Sequence, residues 1–110
     1  MIQDTIEKIE EKIRNNVSLS EENKIELLSL LSQLHPQIME LSRTHNEHAE
    51  NIAGSIERSA NEAMQEEKNP DTLRSEIESL TYSVKDFEVS HPKLVETVNY
   101  IATVLANMGI

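Results

Sequence analysis

His45 and His48 stand three apart in Thr44-His45-Asn46-Glu47-His48-Ala49-Glu50. On a helix that spacing puts both imidazoles on one face. Two imidazoles so placed can share a Zn or Ni ion, provided a third ligand comes from another helix or a second copy. A di-iron bundle would need Glu-x-x-His from two helices, but position 42 is Ser and position 45 is His, so that signature is missing. The plainer account makes His45 and His48 polar seam residues that help set register or pairing. Glu88 and His91, one turn apart before Pro92, form a second pair that could ligate a metal or act as acid and base. A single such pair without a nucleophile is a weak signal. The plainer account has His91 capping or packing a helix junction while Glu88 faces water. On these accounts no catalytic, cofactor-binding or metal-binding residue is assigned, and no cofactor is expected.

Composition removes most other chemistry. There is no Cys, hence no thiol nucleophile, zinc ribbon or cysteine-ligated cluster. Two glycines leave no room for a phosphate-cradling loop or a G-x-S-x-G elbow, and no D-x-D-x-D-G calcium loop occurs. The chain is therefore expected not to be an enzyme. Twenty acidic residues against ten basic ones give a net charge of −10, which argues against nucleic acid and anionic membrane surfaces as partners. Met1-Ile2-Gln3-Asp4 has neither the basic segment nor the apolar run of a secretory signal. The stretch Leu94 to Ile110 is interrupted by Glu96, Thr97, Asn99, Thr103 and Asn107, too polar to span a bilayer. A cytoplasmic location is expected.

The elements that must position the histidines read as helices throughout. Ile2, Ile6, Ile9 and Ile13 step by four, three and four, an a/d stripe over about 2–15. Ser18 with Glu21 fits a capping box, and Ser20 is a competing cap. Ile25, Leu27, Leu28, Leu30, Leu31 and Leu34 then form an apolar face wide enough for two neighbours. The pattern resumes in phase after Pro36 with Ile38 and Leu41, and continues through His45, His48, Ala49, Ile52, Ile56, Ala60 and Ala63. Unbroken, 21–68 would be one helix of about 70 Å at ~1.5 Å per residue. It either projects as a stalk or breaks near Pro36. Gly54 marks a weak spot or a close helix contact, and the Ala and Ser residues around it suit close packing. Lys68-Asn69-Pro70-Asp71 is the clearest turn, with Asn69 or Asp71 as cap. Leu73, Ile77, Leu80, Val84 and Phe87 carry a helix over about 71–89. Leu94, Val98, Ile101, Leu105 and Met108 carry another over about 91–108, with Ser90 as its cap and Gly109 as its terminator.

The C-terminal part carries a distinctive block: Phe87-Glu88-x-x-His91-Pro92-x-Leu94, then Leu105-Ala106-Asn107-Met108-Gly109-Ile110. This block resembles domain-of-unknown-function family 4404, a family of short bacterial proteins. Leu19-Ser20-Glu21-Glu22 and the aliphatic run through Ile38 extend the resemblance more weakly. Such proteins have a shorter mid-region, so about 43–68 reads as an extension. The resemblance implies a helical domain and no particular activity, substrate or cofactor.

The expected fold is all-α: an antiparallel helical hairpin or a three- to four-helix bundle with coiled-coil packing, in a single domain. With 37% hydrophobic and 3% aromatic residues, a lone hairpin would retain little net stability once about 1.5 kcal/mol of ordering cost per residue is set against its seams. Self-association into a dimer or tetramer is expected to cover the remaining faces. The functional expectation is a non-catalytic helical interaction or scaffold protein. The alternatives are a metal-binding helical protein using His45 and His48, or an accessory subunit of a larger complex with an unidentified protein partner.

Overall fold

The all-isoleucine stripe sets the first element. In a computed structural model, which describes residues 1–67 and 69–109, helix α1 spans Ile2–Asn15 and buries Ile2, Ile6, Ile9 and Ile13. The Asn16 side chain ends it by accepting bonds from the Ser18 and Leu19 amides at 2.8 and 3.1 Å. Helix α2, Glu21–Ser42, starts at Ser20, whose hydroxyl accepts from the Asn23 amide at 3.1 Å. The cap is therefore Ser20, not the Ser18 box. Its acids Glu21 and Glu22 sit at the positive end of the helix dipole.

The single helix expected over 21–68 is instead two, and Pro36 is not the break. Pro36 lies inside α2 with its ring exposed. It removes one donor, while Leu34, Ile38 and Leu41 are all fully buried along the same stripe. Burial of about 1.5–3 kcal/mol for each such side chain outweighs one lost helical bond. The chain turns at Arg43, Thr44 and His45. There the Arg43 and Thr44 amides bond three residues back, to Glu40 and Leu41, and the Ser42 hydroxyl takes the Met39 carbonyl at 2.6 Å. These short loops tighten the last turn and spend its carbonyls locally. His45, at φ −135°, then precedes α3, Asn46–Ala63.

Helix α3 is thin. Ala49, Ile52, Ala53, Ser55, Ile56, Ser59, Ala60 and Ala63 are buried, and the helix packs against α1, α2, α4 and α5. Lys8 and Lys12 of α1 lie 3.7 and 3.9 Å from Glu57, and Arg58 lies 3.3 Å from Glu76 of α4. These ion pairs sit at the margins of the seams and contribute little individually, about 0–1 kcal/mol. The segment 43–68, expected as an extension, thus supplies the central helix. Gly54 is not a close-contact glycine: a Cβ there would meet only the tip of Arg58 at 3.4 Å.

Asn69 caps α4, Pro70–Ser83, by accepting from the Asp71 and Thr72 amides. Lys68, the first residue of that expected turn, lies outside the described residues. The helix expected over 71–89 stops at Ser83, and Lys85–Phe87 form a 3-10 turn. Val84 and Phe87 are three apart, a step that a turn of three residues satisfies as well as an α-helix does, so the stripe carries on after the helix ends. Helix α5, Pro92–Gly109, begins one residue later than a Ser90 cap would allow; the His91 carbonyl accepts its first bond, from Val95. Gly109 is still helical, and Ile110 lies outside the described residues.

Among the described residues the result is an all-α bundle of five helices, one or more beyond the expected count because the chain folds back on itself between α2 and α3. No strand occurs among the described residues. α1 touches only α2 and α3, while α5 touches α2, α3 and α4. The radius of gyration is 13.0 Å, that of a compact chain of this length, about 13 Å. The apolar stripes find partners within one chain.

Neighbouring substitutions in α3 should have opposite signs. Ala53→Leu should destabilise by about 1–3 kcal/mol through overpacking, and Gly54→Ala should stabilise by about 0.5–1 kcal/mol. Urea unfolding of the two variants beside the parent protein measures both.

Candidate functional site

Three histidines meet at one end of the bundle. His45 precedes α3, His48 lies in its first turn, and His91 precedes α5. Between them sits Phe87, held by the 3-10 turn and 7% exposed. The ring centroids of His45, His48 and His91 lie 5.4, 5.5 and 6.0 Å from that of Phe87, each near edge-to-face. Such contacts add about 0.5–1.5 kcal/mol beyond burial. The His45 and His48 rings are 5.9 Å apart. His45 Nδ1 lies 2.8 Å from the Thr44 hydroxyl, and His91 Nδ1 lies 2.9 Å from the Ser90 hydroxyl. Among the described residues no three His, Cys, Asp or Glu side chains are grouped to hold a metal ion.

The expected pairs therefore fare differently. His45 and His48 do share a face, and that face lies on Phe87. Glu88 and His91 are not paired: His91 lies against Phe87, while Glu88 lines a groove along α5. Among the described residues no hydrogen bond or ion pair joins them. The meeting of His91 with His45 and His48 was not visible in the sequence, because it depends on where the chain turns after Ser42 and after Ser83.

A second feature lies on the α2–α5 face. Ile25 is 65% exposed and Tyr100 is 59% exposed, and both line one shallow groove with Glu22, Glu26 and Leu30. Tyr100 also borders a second groove along α5, with Glu88, Pro92, Val95 and Glu96. Neither groove is lined by Lys or Arg. The sequence counted Ile25 within a broad buried face of α2; the structure leaves it outside, because α1, α3 and α5 cover the Leu27, Leu31 and Leu34 side. The only sequence signal for this surface was the excess width of that α2 stripe.

The sequence profile of the domain of unknown function DUF4404 matches residues 27–110. This chain belongs to the DUF4404 family. The match takes in most of α2 and all of α3, α4 and α5, and leaves out α1 and the Leu19-Ser20-Glu21-Glu22 segment. The block that marks this DUF4404 member in sequence is its α4–α5 corner. Phe87 and Leu94 are buried, His91 packs on Phe87, and Pro92 opens α5. No curated protein and no solved structure shows a significant match to the chain. Among the described residues no helix is long and apolar enough to cross a membrane.

Phe87→Leu should keep the helices while costing about 1–2 kcal/mol. The imidazole proton signals of His45, His48 and His91 should all shift together as the ring current is lost. A response confined to His91 in the NMR spectrum would contradict the shared contact.

Proposed function

We propose that this domain is a non-catalytic helical interaction protein that presents its α2–α5 face to another protein. The observation that carries the reading is the exposure of Ile25 and Tyr100 in a single groove, in a chain whose other large apolar stripes are internally packed. Exposed apolar residues that stand alone are ordinary; adjacent ones lining a concave surface mark contact sites. A cytoplasmic location and an accessory role within a larger complex fit this reading. Self-association into a dimer or tetramer through coiled-coil seams is the weaker form of it, since the seams are internally occupied.

Photo-crosslinking tests the reading. A photoreactive phenylalanine analogue at position 100 should trap a discrete protein adduct in the native host. The same group at Val17, which is 95% exposed on the loop between α1 and α2, should not. Adducts with the chain itself would favour self-association. Identical patterns at both positions would overturn the reading.

The metal-binding alternative rests on one observation, the 5.9 Å separation of the His45 and His48 rings. Both rings already pack on Phe87, and a two-imidazole site lacks the third or fourth ligand that zinc takes. Equimolar zinc is therefore expected to leave the thermal midpoint unchanged. A rise in midpoint that His48→Ala abolishes would instead assign a metal site to this pair.

A further inference from the structure

We infer that the α2–α5 face receives a basic amphipathic helix from a different protein; this rests on the interaction reading above and adds the chemistry of the partner. Charge decides the occupant. Ile25 and Tyr100 share one groove with Glu22 and Glu26 of α2, and Tyr100 borders a second groove with Glu96 of α5 and Glu88 of the turn before it. Among the described residues none of these four carboxylates has an ion-pair partner, and neither groove is lined by Lys or Arg. Exposed apolar side chains in grooves lined by carboxylates and by no Lys or Arg are the complement of a helix with large apolar residues on one face and Lys or Arg beside them.

The alternatives meet the same electrostatics with the wrong sign. A second copy of the chain, docked face to face, would bring four carboxylates from each protomer together across grooves that no Lys or Arg lines. Nucleic acid and anionic lipid would be repelled, and the net charge of −10 extends that repulsion beyond the face itself. An extended peptide added as a strand would need a sheet edge to pair its backbone, and the described residues contain no strand. A helix satisfies its own backbone and needs only side-chain grooves. Here two grooves flank the Tyr100 ring, so successive apolar anchors of the partner would straddle it.

The test separates this face from general attraction between an acidic protein and a basic peptide. The probe is a fluorescent synthetic helix with Leu on one face and Lys on the other, titrated with the full chain and followed by anisotropy. Binding is expected for the parent protein. Tyr100→Ser should weaken it by roughly tenfold, the effect of removing a buried aromatic anchor. The quadruple variant E22Q/E26Q/E88Q/E96Q should weaken it similarly. The quadruple variant E10Q/E11Q/E66Q/E67Q carries the same change in net charge and should leave binding within about twofold if rim charge is what matters. Circular dichroism confirms that each variant keeps its helicity. Equal weakening by the two quadruple variants, indifference to Tyr100→Ser, or no binding by the parent would overturn the proposal. A protein crosslink at position 100 together with any of these failures would leave the interaction reading standing and reject only the basic helical partner.

Discussion

Everything in this bundle depends on α3 being narrow. One helix can touch four others only if its side chains let their axes come close, and α3 buries four alanines and two serines beside its two isoleucines. α1 and α4 both rest on it and do not touch each other. A leucine-rich α3 would push them outward and open the seams that now bury Ile6, Ile9, Leu73 and Leu80. The thinness has a cost. Among the described residues the buried Ser55 and Ser59 hydroxyls find no hydrogen-bond partner, a burden of about 1–3 kcal/mol for each such group. The flanking α1–Glu57 and Arg58–Glu76 ion pairs lie at the solvent margin and compensate only in part.

The second constraint is the corner built on Phe87. The chain has one Phe, and it closes the end of the bundle where α3 begins and where α4 hands over to α5. Three imidazoles pack around its ring, so a residue set that looks chemical in sequence serves as the rim of an aromatic plug. This gives the distinctive Phe87-to-Leu94 block a structural meaning. Phe87 and Leu94 enter the core, His91 leans on the ring, and Pro92 fixes the start of α5. The histidines are exposed or half-buried at this corner, and a polar ring face tolerates that position better than a branched aliphatic would.

How much of this the sequence disclosed follows from which interactions are local. Stripes of four and three steps are local, so the Ile2-to-Ile13 face and the Leu94-to-Leu105 face were legible as helices. Caps at Ser20 and Asn69 depend on a hydroxyl or amide reaching two or three residues onward, and they were legible as candidates. The break at 43–45 was not. Pro36 is the stronger local breaker by intrinsic preference, yet tertiary burial of Ile38 and Leu41 overrides it, while Arg43, Thr44 and His45 carry only weak stop signals. Once that turn is misplaced, α3 cannot be recognised as the centre, and the meeting of His91 with His45 and His48 is invisible. The α2–α5 face was hidden for a related reason: only the packing of α1, α3 and α5 decides that Ile25 is the stripe residue left outside.

That leftover residue bears on function because folding does not account for it. Val17, Tyr82 and Val89 are also exposed, but none of them lines either groove of the α2–α5 face. Ile25 and Tyr100 do, and they come from helices far apart in the chain. A fold that needed only stability and solubility could place Glu or Lys at both positions at almost no energetic cost, since surface changes of that kind usually lie within about 0.5 kcal/mol. The surrounding carboxylates keep the face soluble when it is uncovered. They also set which surfaces can cover it, because each one that becomes buried without a cation carries a desolvation penalty. The acidity that the sequence showed only as a sum thus has a local arrangement, in which attraction through an aromatic anchor and selection by charge occupy the same few residues.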